Sequence, residues 1–225
     1  MDLIYIVSIW LLPVLIAITF HEAAHGYVAR LFGDETASRL GRVSLNPLRH
    51  IDPFGTIILP ALLLLARSPF LFGYAKPVPV NFRALRNPRM ATVLVAAAGP
   101  AMNIGLAVVA ALSFHLIVYL PAIPARWAAL NLKNALIINV ILAVFNLFPL
   151  PPLDGGRIVT GLLPGGLARR YARLEPYGMI ILIVLLIVLP LLGAQFGLNL
   201  RFVSQIIATL TDTIVGLILR LTGNI

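Results

Sequence analysis

The chain has 225 residues, 60% hydrophobic and only 11% charged, with a net charge of +9 and no cysteine. A soluble domain carries about a quarter charged residues, so a soluble enzyme or DNA-binding module is excluded, and without thiols there can be no disulfide or thiolate metal site. The basic residues fall between apolar segments and show no stripe of interleaved aromatics, which argues for a lipid bilayer and against a nucleic-acid partner.

The first predicted element is a helix over Leu3–Leu31, long enough to cross a bilayer at about 1.5 Å per residue. It does not read as a cleaved leader, because only Asp2 precedes the apolar run and no basic segment opens it. Residues 33–50 are polar and basic, with a weak alternation over Leu40–Leu45 that suggests a strand and a turn at Asn46-Pro47. Ile51–Ala66 is apolar but short, and is interrupted by Pro53, Gly55 and Pro60. Residues 67–89 are basic around KPVPVNF (Lys76–Phe82), whose alternate prolines exclude helix and suit an extended segment. Met90–Leu120 is a second long helix, rich in the small residues that let membrane helices approach closely. Asn131–Phe148 is a third, ended by Pro149, Pro151 and Pro152. Pro176–Gly193 is a fourth span, and Val203–Leu221 is a fifth span or an interfacial helix.

Thirteen of the seventeen Lys and Arg residues lie in the loops 30–50, 67–89 and 155–175. The positive-inside rule places all three loops in the cytoplasm. Two of them flank residues 51–66, so that segment is expected to dip into the membrane and return, covered by protein or lining a water-filled cavity. The first and third spans then descend toward the same side, and bring the polar groups of residues 21–25 to a depth similar to that of Asp154.

Those polar groups form the stretch HEAAH, inside an apolar helix. Residues four apart share a helix face, so His21 and His25 can hold one metal ion. Glu22, rotated around the helix, can reach a metal-bound water as general base. Buried histidines packed against neighbours are the plain alternative, but ionisable residues within a membrane are rare and costly.

A catalytic zinc takes three protein ligands and keeps one position open. Val28 and Leu31 stand where a histidine of the HExxHxxGxxH pattern would be. Asp34 and Glu35 follow too soon and read as solvated loop charges. His50 and Asp52 flank the re-entrant segment, His115 lies toward the far end of its span, and Glu175 sits at a span entrance. Asp154 remains, between a proline-broken helix end and Gly155-Gly156, where it serves equally as a turn residue.

HEAAH together with NLFPLPPLDGG resembles the site-2 protease family of intramembrane zinc metalloproteases, in which HExxH is joined by a later NxxPxxPxDG. Asn146, Pro149, Pro152, Asp154 and Gly155 stand in that register, and Gly99-Pro100 with Asn103 is similar to the family's GPxxN segment. The resemblance covers residues 1 to about 175 and implies that His21, His25 and Asp154 bind one zinc ion. It further implies that Glu22 is the general base and that Asn146 helps hold substrate or the developing oxyanion.

It looks like a compact prokaryotic member without a PDZ or CBS domain, in the plasma membrane, with its site toward the cytoplasm. The expected fold is an all-α polytopic membrane protein of a single domain, 1–225. A three-helix catalytic core within 1–175 carries the re-entrant and extended insertion, and one or two helices follow in 176–225. The expected substrate is a transmembrane protein whose span must unwind, captured along an exposed edge at Leu40–Leu45 or Pro77–Phe82. Two other readings remain: a non-proteolytic zinc-bound scaffold that sequesters a partner span, and a divalent metal transporter. Transporters of the repeat class carry symmetric halves, which this sequence lacks.

Overall fold

The computed structural model describes residues 3–58, 62 and 76–225. Helix α1 is Leu3–Leu31, with the bounds expected from its apolar run, and it continues through Pro13. A single turn, α2 (Thr36–Arg39), follows it. Helix α3 is Pro88–Ser113, completed by a tighter 3-10 stretch to Tyr119. It starts at Asn87, whose φ of 52° is left-handed, a conformation that asparagine tolerates better than most residues. Pro88 then occupies the first helical position, where a missing N–H costs nothing.

Helix α4 is Ala122–Asn146 and begins nine residues before the expected Asn131. Arg126 dilutes the hydropathy of its first turns without interrupting the helix, and Pro124 falls in its first turn, where it is harmless. Two short helices, α5 (Asp154–Leu162) and α6 (Gly165–Ala172), fill the basic loop. Helix α7 (Glu175–Gln195) contains a π-helical segment at Val184–Val188 just before Pro190, which cannot donate to the helical ladder. Helix α8 is Phe202–Leu221.

Among the described residues five helices, α1, α3, α4, α7 and α8, are long and apolar enough to cross a membrane, and the fold is all-α. No β-strand occurs among the described residues, and the alternation over Leu40–Leu45 resolves into turns and bends. Six residues of weak alternation do not hold a strand without a partner edge to pair with. Pro53–Ile58 form a π-helical turn; the rest of the proposed re-entrant stretch, 59–66 apart from residue 62, lies outside the described residues, as does 67–75 of the following loop.

Helices α1, α3 and α4 pack as a bundle, with α8 against α4 and α5 against α3. Ala107, Ala110 and Ala111 of α3 meet Leu136, Val140 and Val144 of α4 and Ile218 of α8. Small residues dominate the inside, while Ile4, Leu11, Leu12, Val109, Leu191 and Leu217 point outward. That inversion suits a solvent of lipid tails, in which apolar burial drives nothing and close backbone approach and interhelical hydrogen bonds do the holding. Three of those bonds come from buried asparagines. Asn134 Nδ2 donates to the Ile9 carbonyl at 2.8 Å. Asn103 Nδ2 donates to Ala17 O at 3.1 Å and to Asn139 Oδ1 at 2.7 Å. The three core helices are thus pinned to one another by amide groups.

Beyond α1 the chain returns across its end as a non-helical strap, residues 76–81. Asp34, read from the sequence as a solvated charge, is buried and fastens this strap. Its Oδ1 accepts the Thr36 N–H at 2.9 Å and its Oδ2 accepts the Asn81 N–H at 2.7 Å. Glu35 is exposed, as expected, and is paired with Arg39 at 3.0 Å. Arg86 N–H to Phe32 O and Lys76 N–H to His50 O tie the strap at either end.

Burial opposes the charge of Asp34, but the hydrogen bonds from Thr36 and Asn81 prevail and hold its carboxyl below the usual carboxylate range. A depressed folded value means that this anchor is intact above the unfolded value, about 3.9, and is lost as pH falls through the lower folded value. Asp34→Asn turns an N–H toward the Asn81 N–H and should cost about 1–2 kcal/mol locally. We expect about tenfold lower hydrogen-exchange protection at Asn81 at neutral pH; unchanged protection would mean that Asp34 does not hold the strap.

Candidate metal centre

The lower half of α1 presents His21 and His25 one turn apart on its inner face, both buried. Asp154 opens α5 after the proline turn, and is buried too. His21 Nε2 and His25 Nε2 are 3.1 Å apart, and each lies 3.2 to 3.3 Å from Asp154 Oδ2. These are the residues that the sequence nominated, and among the described residues they form the one three-membered His/Asp/Glu cluster able to share an ion.

The other ring nitrogens show what the three inward atoms are for. His21 Nδ1 is 2.6 Å from Asn103 Oδ1. Because the Asn103 amide nitrogen already donates to Ala17 and Asn139, its oxygen must accept, so the proton sits on His21 Nδ1. His25 Nδ1 is 2.7 Å from the Val95 carbonyl and must donate as well. In the neutral rings both Nε2 atoms are therefore lone-pair acceptors, aimed at each other and at a carboxylate. Asp154 Oδ2 has no hydrogen-bond donor. Three acceptors crowded together repel one another unless a cation sits among them. A tetrahedral zinc with arms of about 2.0–2.2 Å spaces its ligands by roughly 3.3–3.5 Å, close to the distances observed, so the residues fit zinc.

Backbone shape leaves room for the ion. Gly99 of α3 faces the triangle, and a Cβ there would stand 2.5 Å from His25 Nε2 and 2.6 Å from His21 Nε2. On the Asp154 side, the proline turn is wedged between helices: a Cβ on Gly155 would strike the Leu147 carbonyl, and one on Gly178 of α7 would strike the Pro151 carbonyl. Tyr171 adds a hydrogen bond from its hydroxyl to Pro149 O at 2.7 Å. Helices α6 and α7, which lie at or beyond the end of the recognised motifs, thus brace the turn that carries Asp154.

Glu22 is beside the triangle rather than in it. Its Oε2 accepts the Val78 N–H of the strap at 2.7 Å. Asn146 donates to Leu142 O one turn back, at 2.9 Å, and shares with Glu22, His21, His25, Asp154, Val78 and Arg157 a cavity of about 400 Å³. The discarded candidates are elsewhere. His50 is buried, with Nε2 at 2.8 Å from Ser44 O. His115 bonds Thr222 O at the opposite end of its helix, at 2.7 Å. Glu175 is exposed near Arg157.

Sequence reasoning missed Asn139, the contacts that Asn103 and Gly99 make, the Val78 amide and Arg157. The signal for the asparagines was present, since a polar side chain in an apolar span needs a partner. Outer-shell groups of this kind are worth about 10–100-fold in metal affinity. Asn103→Ala should weaken zinc binding by that much in a chelator competition; an unchanged affinity would mean that packing alone orients His21.

Comparison with known proteins points to a family of metalloproteases. The profile of Peptidase family M50 matches residues 9–131 and 125–189. The chain is 41% identical over 183 residues to "Putative zinc metalloprotease YwhC" of Bacillus subtilis, covering 78% of each chain. It is 29% identical over 193 residues to "Putative zinc metalloprotease Rip2" of Mycolicibacterium smegmatis, covering 86% of this chain and 70% of that one. No solved structure matches it significantly. The metal-fitting triangle thus lies within the matched region, and the chain belongs to Peptidase family M50, the site-2 protease family of zinc metalloproteases.

Proposed function

We propose that the chain is an intramembrane zinc endopeptidase that cleaves other membrane proteins within or near their spans, as a step in regulated intramembrane proteolysis. The supporting observation is the position of the triangle: His21 lies ten residues before the end of a spanning helix, roughly 15 Å along its axis. A soluble protease has no reason to sink its metal site there. By the charge of its loops the site faces the cytoplasm across a prokaryotic plasma membrane.

His21, His25 and Asp154 would hold one zinc ion. When bound, zinc supplies Lewis acidity, which makes water a usable nucleophile near neutral pH and polarises the scissile carbonyl. Glu22 takes the proton of the attacking water and passes it to the leaving amine. The Val78 N–H holds its Oε2 and leaves Oε1 for that work. Asn146 spends one N–H on Leu142 and offers the other to the tetrahedral oxygen, worth about 3 kcal/mol in comparable sites.

Helical peptide bonds are closed to attack, so the substrate span must unwind beside the strap. Pro77 and Pro79 have no N–H, and the Val78 N–H is engaged. A substrate laid along the strap would therefore donate more hydrogen bonds to it than it accepts. The test is cleavage of single-span membrane peptides in proteoliposomes by wild type and Glu22→Gln, with bound zinc measured in both. Cleavage by wild type alone, at equal zinc, supports the protease; cleavage by neither favours a zinc-bound scaffold or a transporter.

A further inference from the structure

One wall of the metal-site cavity carries a positive charge that the reaction above does not use. Arg157 stands one turn after Asp154 on α5 and lines the same cavity as His21, Glu22 and His25. It is the cavity's one Lys or Arg among the described residues. Its guanidinium lies over the Phe82 ring, with Cζ 4.9 Å from the ring centre. Phe82 lies just past the end of the strap, so the stacking fixes the cation between α5 and the region where a substrate would lie.

The charge is oriented but not consumed. Its one carboxylate neighbour, Glu175, is 3.8 Å away, beyond hydrogen-bond length, and is itself more than half exposed. The two acidic groups of the cavity have other partners: Glu22 accepts the Val78 N–H, and Asp154 faces the histidine pair. A guanidinium with free N–H groups in a partly enclosed cavity is matched by a carboxylate, which it binds through two parallel hydrogen bonds. A substrate segment entering from the membrane would lose the hydration of any acidic side chain, and a fixed cation offsets that loss.

We propose that Arg157 is a specificity residue, which recognises an acidic side chain of the substrate a few residues from the scissile bond. The proposal rests on the proteolytic reading. A residue that only packs the strap would affect all substrates alike; a carboxylate receptor would discriminate by charge.

The experiment uses the full chain in proteoliposomes with a ladder of single-span peptides. Each has a leucine–alanine span with a Gly-Asn break, and carries Asp, Asn or Lys at one position on either side of that break. Wild type should cleave the Asp peptide at one position on the order of tenfold faster in kcat/KM than its Asn or Lys counterparts. Arg157→Glu should invert the order toward Lys, and Arg157→Gln should flatten it, with zinc content unchanged in both. A flat wild-type ladder overturns the proposal whatever the variants do, as does an Asp preference that survives both substitutions. Failure of wild type to cleave any peptide would overturn the protease reading itself, and this inference with it.

Discussion

Gly99→Ala should abolish zinc binding while leaving the helix that carries it intact. The added Cβ would sit 2.5 Å from His25 Nε2 and 2.6 Å from His21 Nε2, on the face of the triangle that the ion has to share. Neither imidazole can retreat freely, because His21 is held through Nδ1 by Asn103 and His25 by the Val95 carbonyl. Relief requires either α1 to move away from α3 or a histidine to swing out of the triangle. Both separate the ligands beyond what arms of about 2.0–2.2 Å can bridge.

A control lies on the same helix. Gly105 has nothing within 4 Å of where its Cβ would be. Gly105→Ala should keep full zinc, and gains the helix propensity that glycine lacks, about 1 kcal/mol. Metal content of the two purified variants, with chelator competition, decides the matter. Stoichiometric zinc in Gly99→Ala would mean that the ligands are not arranged as described.

Glu22→Gln should lower turnover by about 10²–10⁴-fold, the range of a general base, with zinc affinity unchanged because Glu22 is not in the ligand triangle. Glutamine keeps the shape and can still accept the Val78 N–H, so the strap stays in place. Glu22→Ala removes the base and the anchor together. Hydrogen exchange over residues 76–82 should therefore rise in the alanine variant and not in the glutamine variant, while both lose cleavage. If both variants cleaved normally, the proton would be carried by another group. If both lost zinc, Glu22 would be a ligand rather than a base.

The sequence by itself pointed to the medium, to four apolar spans with a fifth apolar segment left open, and to His21, His25 and Asp154 as candidates for one metal ion. Hydropathy marks a spanning helix without knowledge of its neighbours, and the four-residue spacing of His21 and His25 places them on one face by helix geometry alone. Asp154 was reachable because proline and glycine around it announce a broken helix, although its role as a ligand rather than a turn residue came from resemblance.

Tertiary structure decided everything that depends on which surfaces meet. Asp34 looked solvated because its local sequence is polar; a strap more than forty residues away in sequence buries it and supplies an N–H. The third span began earlier than its hydropathy suggested, since a helix tolerates Pro124 and Arg126 in its first turns. Gly99 reads in sequence as one more small residue in a membrane helix, and only the crossing of α1 over α3 makes it the space for an ion. Asn103 and Asn139 orient a histidine on a different helix, and Arg157 faces the cavity because α5 turns it there. Local propensity reports what a residue does to its own backbone. The protonated nitrogen of His21, the empty side of Gly99 and the cavity-facing charge of Arg157 are properties of contacts between segments far apart in the chain, which no local pattern encodes.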